Sequence, residues 1–431
     1  MYDLLIIGAG WAGFNAALTA KSYGLKVCLI EQAQLGGTCL NLGCIPTKAL
    51  LQSSKVYTLL KKSSVFGVFS SSPARIELSP LQERKEKIVQ QLRRGIEYSL
   101  KGVEVVYGTA EITGGQSVKV GAKDITARHI LLATGSIPLA LAEHPFDGEN
   151  ILSSNHIVGL KEIPSSLLII GGGVIGCECA TLFANMGAKV TIVELMPQLL
   201  PGEDKDIAKK LEVVFKKKGI QVITGQEATS AQCANFAKVL VCVGRSPKTD
   251  IPGLESVGVK CHKGAFVVDD YLKTSVETIY AAGDCTAKTM LAHFAAYQGR
   301  IAAENIAHPD HAQKADNRII PNCIFTEPEI ASVGLHESQA KESNIPITIH
   351  EFDFLGSGMA RILDETGGFI KIISHQNTGE ILGASLIGPK ATELISLLTL
   401  ALQFHHKVSD LKELIFAHPT LSESIGEALR L

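Results

Sequence analysis

Cys39 and Cys44 are separated by four residues in Gly36-Gly37-Thr38-Cys39-Leu40-Asn41-Leu42-Gly43-Cys44-Ile45-Pro46-Thr47-Lys48. Two thiols at this spacing, after glycines and before a helix-forming run from Lys48 to Ser53, can close a small disulfide ring at a helix N-terminus. The helix dipole there favours thiolate. The pair reads as a redox-active dithiol. An inert staple is the weaker reading, because staples belong mainly to small secreted domains. The remaining cysteines (Cys28, Cys177, Cys179, Cys233, Cys242, Cys261, Cys285 and Cys323) sit singly, mostly in apolar runs such as Val27-Cys28-Leu29-Ile30, and read as small buried hydrophobes. Cys177 and Cys179 lie two positions apart on a predicted helix, hence on different faces, and no further ligand clusters with them. No metal site is expected.

The elements that must hold this dithiol begin at the N-terminus. Asp3 to Ile7 reads as a strand, Gly8-Ala9-Gly10-Trp11-Ala12-Gly13 as a phosphate-binding turn, Phe14 to Ser22 as a helix, and Lys26 to Ile30 as a second strand ending at Glu31. Gly8 permits the tight turn, Gly10 admits a pyrophosphate, Gly13 lets helix and strand pack, and Glu31 can accept ribose hydroxyls. A lone glycine fingerprint is weak. The flanking strand and helix, with Glu31 placed 18 residues after Gly13, make it strong.

A second copy follows. Leu167 to Ile170 leads into Gly171-Gly172-Gly173-Val174-Ile175-Gly176, then a helix from Cys177 to Met186, a strand from Lys189 to Val193, and Glu194, again 18 residues after the last glycine. Two dinucleotide sites imply two nucleotides, with an electron path between them as the simplest reason to hold both. A carboxylate at Glu194 hydrogen-bonds a free 2′-hydroxyl and repels a 2′-phosphate, and no arginine or lysine occurs in Leu195 to Leu200. NAD is favoured over NADP. Leu131 to Ser136 and Val241 to Pro247 are apolar strands stopped by glycine, and resemble crossings between domains. Thr278 to Asp284 is a short strand ending in Gly-Asp, where a carboxylate could bind a polyol and a following helix could face phosphate.

With 431 residues and 46% hydrophobic content, the chain is long enough for two to four domains around buried sheets. The net charge of −2 offers no basic field for nucleic acid or an anionic membrane. No apolar stretch approaches the roughly 18 residues that a membrane span needs. The expectation is a soluble cytoplasmic protein.

Taken jointly, the pieces resemble the two-dinucleotide flavoprotein disulfide reductases, the class I pyridine nucleotide-disulfide oxidoreductases, over essentially the whole chain. Within them the detail is most similar to the dihydrolipoamide dehydrogenase family. Besides the dithiol segment, the matching stretches are Met290-Leu291-Ala292-His293, the run from Ile324 to Gly334, and Ala417-His418-Pro419-Thr420-Leu421-Ser422-Glu423. Glutathione and trypanothione reductases usually have Val-Pro-Lys-Lys where this chain has Ile45-Pro46-Thr47-Lys48, and bind NADP through arginines absent here. Mercuric reductases end in a cysteine pair, whereas the last cysteine here is Cys323.

The resemblance implies FAD at Gly8, Gly10, Gly13, Glu31 and Asp284, with Lys48 near the flavin ring. It implies NAD at Gly171, Gly173, Gly176 and Glu194, with Glu178 near nicotinamide and flavin. Thr38, Thr134, Gly135, Gly244 and Arg245 complete the expected cofactor contacts. By the same analogy Cys44 faces the flavin, Cys39 meets substrate, and His418, oriented by Glu423, is a base reaching the dithiol from the other subunit of a homodimer.

The chemistry agrees with these roles. Thiolates attack disulfides, and a histidine near a dithiol can take the incoming thiol's proton. Thr420 to Glu423 has the form of a capping box for a helix beginning after Pro419, so Glu423 can orient His418, cap that helix, or do both. His405-His406 reads as a polar helix edge. The expected reaction is oxidation of protein-bound dihydrolipoyl groups, on an acyltransferase or a glycine-cleavage carrier protein, with reduction of NAD. Alternatives are an NADH-dependent reductase of another disulfide or an inorganic acceptor, and a structural flavoprotein subunit of a multienzyme assembly.

One departure from the family concerns residues 220–238, where relatives normally carry about three further strands. Gly225 to Phe236 has little strand periodicity and reads as loop or short helix, in a trimmed NAD domain that keeps its central sheet. The expected fold class is α/β: two Rossmann-like dinucleotide-binding domains and a C-terminal α+β dimerisation domain. Expected boundaries are 1–150 for FAD, 151–258 for NAD, 259–318 for a return to the FAD domain, and 319–431 for the interface. In the last, Phe369 to Ile373 and Ile381 to Ile387 read as antiparallel strands before a helix from Ala391 to Phe404. Ser70-Ser71-Ser72 reads as a surface turn.

Overall fold

The computed structural model of the chain describes residues 1–430. It opens with β1 (Tyr2–Ile7), α1 (Trp11–Ser22) and β2 (Val27–Glu31). β1 and β2 pair in parallel, Leu4 opposite Val27 and Ile7 opposite Ile30. Leu4, Leu5, Ile6, Cys28 and Leu29 are all buried, as expected of strands covered on both faces. Between β2 and β3 (Glu104–Tyr107) lie α2 (Gly37–Asn41), α3 (Cys44–Lys61) and α4 (Leu78–Ser99). β3 extends one edge of the sheet. On the other edge, Lys123–Leu132 pairs in parallel with β1, and the late strand Ile279–Ala281 joins it. An antiparallel hairpin, Ala110–Gly114 with Ser117–Val120, completes seven strands.

A second sheet holds five parallel strands in the order Gln221–Thr224, Lys189–Glu194, Ser166–Ile170, Lys238–Val241, Ile151–Leu152. Residues 225–236 form a loop and a one-turn helix, Ser230–Cys233. Thr229 Oγ1 accepts from the Gln232 N–H, and Gln232 Oε1 accepts from the Thr229 N–H, a reciprocal cap. Ala228, Cys233 and Phe236 pack with Leu141 and Phe146 against Leu168, Ile170, Val193, Val239 and Val241. This short segment therefore covers one face of the second sheet.

The two crossings pair with each other: Ser136–Pro138 runs antiparallel to Arg245–Pro247. The C-terminal part is a five-stranded antiparallel sheet in the order Asn322–Ile324, Glu329–Gly334, Ile381–Gly388, Phe369–His375, Ile347–Asp353. Helix Ala391–Gln403 packs on its central strands and helix Glu423–Arg430 on its outer ones.

Several local expectations are corrected. The helix after the dithiol begins at Cys44 itself rather than near Lys48, because Gly43, at φ −131° and ψ −109°, already ends the preceding turn. α1 begins at Trp11, not Phe14. Asp284 is followed by a single 3-10 turn, Asp284–Thr286, and the long helix starts only at Ala292. The C-terminal helix starts at Glu423 rather than after Pro419. Cys261 is exposed, on a two-residue strand.

Candidate functional site

The two glycine fingerprints share one geometry. Gly8 and Gly171 have φ of +103° and +110°, where an added Cβ would sit 2.4 Å from Ala133 O and 2.6 Å from Cys242 O. A Cβ on Gly13 would lie 1.9 Å from Gly8 O, and one on Gly176 would lie 2.0 Å from Gly171 O. Helix and turn are therefore in backbone contact at both places. At Gly10 the nearest neighbour of such a Cβ is Gly37 Cα at 3.9 Å, and at Gly173 there is none within 4 Å. These two positions face open space at helix N-termini that no side chain caps.

The two acidic strand ends match as well. Glu31 is buried, its Oε2 accepting from the Ala9 N–H and its Oε1 from the Ala33 N–H, each at 2.8 Å. Glu194 is buried too, accepting from the Gly172 and Met196 N–H groups. Two backbone bonds fix each carboxylate and leave lone pairs for further donors.

A cavity of about 1480 Å³ runs through the molecule, lined among others by Gly8, Gly10, Glu31, Thr38, Cys39, Cys44, Lys48, Thr134, Gly135, Glu178, Arg245 and Asp284. Gly13, Gly171, Gly173, Gly176, Glu194 and Gly244 lie outside its lining, as do His418 and Glu423.

Cys44 opens α3, and Gly43 offers no side-chain cap, so the first amides of the helix face the sulfur region. Cys39 donates its thiol proton to Cys44, which is the main reason the Cys44 pKa is lowered to about 7; the Lys48 charge adds to this, while burial and Glu178 oppose it. The same donated bond, followed by burial, pushes the Cys39 thiol up. The reduced pair therefore carries its charge on Cys44.

Lys48 stands one helical turn beyond Cys44. Its Nζ lies 2.8 and 2.7 Å from the two oxygens of Glu178, whose side chain is 4% exposed, and 4.8 Å from the centre of the Phe325 ring. Glu178 also accepts from the Phe325 N–H at 3.0 Å. Burial alone would lower the Lys48 pKa, but the charge of Glu178 and the bond to it raise it. The ammonium is thus retained.

Asp284 Oδ2 accepts from Ser136 Oγ, and Arg245 holds Ser136 through Nε to Oγ and Nη2 to the carbonyl, both at 2.7 Å. His418 is on the surface, its side chain 81% exposed, with Nδ1 2.8 Å from Glu423 Oε1. Glu423 Oε2 accepts from the Thr420 N–H, so one carboxylate both holds the imidazole and caps the chain entering its helix. Thr420 Oγ1 returns to Ala417 O instead of completing a capping box.

Residues 2–299 match the family model described as pyridine nucleotide-disulphide oxidoreductase, and residues 320–429 match that family's dimerisation domain. The chain belongs to the pyridine nucleotide-disulphide oxidoreductases. Proteins named dihydrolipoyl dehydrogenase from Bacillus subtilis and Chlamydia pneumoniae are 40% and 39% identical, covering 99% and 100% of this chain and 97% and 96% of their own. The alignments run over 448 and 449 residues, so these oxidoreductases carry segments that this 431-residue chain lacks. Among solved structures, LpdA from Mycobacterium tuberculosis matches with a TM-score of 0.91 at 28% identity, covering 99% of each chain. The HOCl-induced flavoprotein disulfide reductase RclA from Escherichia coli matches at 0.88 and 30%, covering 100% of both.

The cofactors of the oxidoreductase family are FAD and NAD(H), and the residues present fit them: open space at Gly10 and Gly173, and buried carboxylates at Glu31 and Glu194 where the second strand of each fingerprint ends. Three residues escaped the sequence reading. Trp11 sits inside the first fingerprint and is the only tryptophan, so it was in plain view. Phe325 lies within the matched run from Ile324 to Gly334. Ser136 carried no signal, since its role comes from partners 109 and 148 residues away.

Proposed function

We propose that this chain oxidises protein-bound dihydrolipoyl groups to the cyclic disulfide and passes the electrons to NAD. The observation that carries the reading is the Cys39–Cys44 pair in one cavity with the Lys48–Glu178 ion pair, Glu178 standing on the helix that follows the second glycine fingerprint. FAD, when bound, supplies the two-electron link between the dithiol and NAD. Gly8, Gly10, Gly13, Glu31, Thr38, Thr134, Gly135 and Asp284 would hold FAD; Gly171, Gly173, Gly176, Glu194, Gly244 and Arg245 would hold NAD and line its approach.

A substrate thiolate attacks Cys39 of the oxidised pair, the Cys39–Cys44 bond breaks, and Cys44 departs as thiolate. The second substrate thiolate then attacks the substrate sulfur bound to Cys39, closing the product disulfide and releasing Cys39. Cys44 suits the first departure because its pKa is lowered to about 7. Lys48 balances that charge, and Glu178 holds Lys48 in place. His418 takes the substrate's thiol proton, with Glu423 fixing its Nδ1.

His418 does this from a second copy of the chain. Support comes from its exposure, its absence from the cavity lining, and the dimerisation domain with Phe404 and Ile415 exposed at 64% and 99%. No helix among the described residues is long and apolar enough to cross a membrane, which accords with a cytoplasmic location. The likeness to RclA favours a second reading, reduction of another acceptor by NADH. Turnover of dihydrolipoamide with NAD by the FAD-loaded protein, with Cys44→Ser as control, separates the two.

A further inference from the structure

Trp11 is the first residue of α1 and the only tryptophan of the protein. Its ring stands edge-on to Phe14, centroids 6.2 Å apart, and its carbonyl accepts from Asn15 Nδ2. The starts of α1 and α2 are pressed together, since a Cβ on Gly37 would lie 2.7 Å from Gly10 Cα. That backbone contact fixes Trp11, one residue beyond Gly10, relative to Cys39, two residues beyond Gly37. Both side chains line the same cavity.

The indole N–H is shielded from water, yet it has no hydrogen-bond partner among the described residues. A buried donor left in that state is costly and rare. The Cys39 sulfur, carried on the segment pressed against Gly10, lines the same cavity. The Cys39 thiol is pushed up by the proton it donates to Cys44, then by burial and by the Cys44 charge; the indole and the Lys48 ammonium draw it down.

We propose that Trp11 is a charge-dependent hydrogen-bond donor to Cys39, engaging fully when that sulfur becomes thiolate as the product disulfide leaves. The inference rests on the redox-dithiol reading above, but not on the identity of the substrate. Charge reaches Cys39 in the second exchange: the substrate thiolate forms the new S–S bond, the Cys39–substrate bond breaks, and its electron pair stays on Cys39. The indole N–H meets that pair until a proton arrives. In the disulfide the sulfur is a poor acceptor, so the donor is idle.

The test uses the FAD-loaded protein carrying Trp11→Phe, which keeps an apolar ring but no donor, and Trp11→His, which keeps a donor. In a Cys44→Ser background, where Cys39 titrates without its partner thiol, iodoacetamide alkylation against pH reads the Cys39 pKa. Trp11→Phe is expected to lower the thiolate fraction at a given pH by about tenfold, and Trp11→His to restore part of it. The single indole N–H resonance of the unsubstituted Trp11 protein, again in the Cys44→Ser background, is expected to shift with the same midpoint as alkylation.

An alkylation profile unchanged in Trp11→Phe overturns the proposal. So does an unchanged Cys39 profile accompanied by loss of FAD, which would make the indole a cofactor contact. An indole resonance indifferent to Cys39 ionisation overturns it without any variant at position 11. Shifts present in a protein that fails to turn over dihydrolipoamide would sustain this inference while removing the proposed substrate.

Discussion

Lys48 and Glu178, 130 residues apart in sequence, meet as a two-contact ion pair with Nζ 2.8 and 2.7 Å from the carboxylate oxygens. Lys48 rides on the helix that Cys44 opens, and Glu178 on the helix that follows the second fingerprint. The pair therefore ties the dithiol to the neighbouring nucleotide cradle. It also sets opposite electrostatic pulls on one thiol.

Those pulls yield a pair of predictions with opposite sign. The Cys44 pKa, lowered to about 7, is drawn down by Lys48 and pushed up by Glu178. Lys48→Met should move thiolate formation at Cys44 to higher pH, and Glu178→Gln should move it lower. Alkylation of the reduced protein against pH checks this; equal or same-direction shifts would refute the assignment.

The glycines separate packing from ligand contact. Gly13→Ala places a carbon 1.9 Å from Gly8 O and should cost FAD retention and stability together. Gly173→Ala meets no protein atom within 4 Å, so the fold and bound FAD should persist while the KM for NAD rises. Melting curves, flavin content and steady-state kinetics distinguish the two; a Gly173→Ala protein with unchanged KM counts against the NAD cradle.

His418→Gln should lower turnover by roughly 100-fold or more, the scale of a lost general base. Glu423→Gln should lower it less, about tenfold, by loosening the imidazole. The backbone N–H of Thr420 and His418 hold the Glu423 pKa below its ordinary value, so its folded-state contribution is complete above the usual carboxylate range and fades as acid protonates it. If activity were indifferent to Glu423→Gln at all pH values, the orienting role would fall.

Away from the cavity, Lys371 is fully buried, with Nζ 2.8 Å from Asp204 and 2.7 Å from Asp206, binding the helix after Lys189–Glu194 to the C-terminal sheet. Burial would raise Asp204, but the His336 imidazole, with Nδ1 3.6 Å away, and the Lys371 ammonium hold it well below its ordinary value. That stability is present above the unfolded carboxylate pKa and is lost as pH falls through the folded one. Lys371→Met strands Asp204 and should cost about 3–5 kcal/mol in denaturant unfolding, with partial recovery in Lys371→Met/Asp204→Leu. A loss below 1 kcal/mol would contradict this.

What the sequence disclosed follows from how locally each feature is determined. Both fingerprints were readable because strand, turn, helix and acid are contiguous, and the glycines are dictated by backbone contacts within that unit. His418 and Glu423 were readable as partners because five residues separate them. The start of the C-terminal helix was misplaced because Glu423 spends its carboxylate on His418 and Thr420, ahead of the helix rather than within it. The Asp284–Ser136–Arg245 link and the Lys371 cluster were not readable: their members lie 109, 148 and 165 residues apart, and only the assembled topology brings them together. Lys371 also lies in an apolar strand whose alternation gives no hint of a buried charge.

The central claim is that electrons pass from a dihydrolipoyl dithiol through Cys39 and Cys44 to NAD. The most direct measurement is NADH formation by the FAD-loaded protein mixed with dihydrolipoamide and NAD, beside its Cys44→Ser variant. The account expects rapid NADH formation that the variant abolishes. NADH formation undiminished in Cys44→Ser, or none at all in a protein whose FAD is still reduced by NADH, would contradict it.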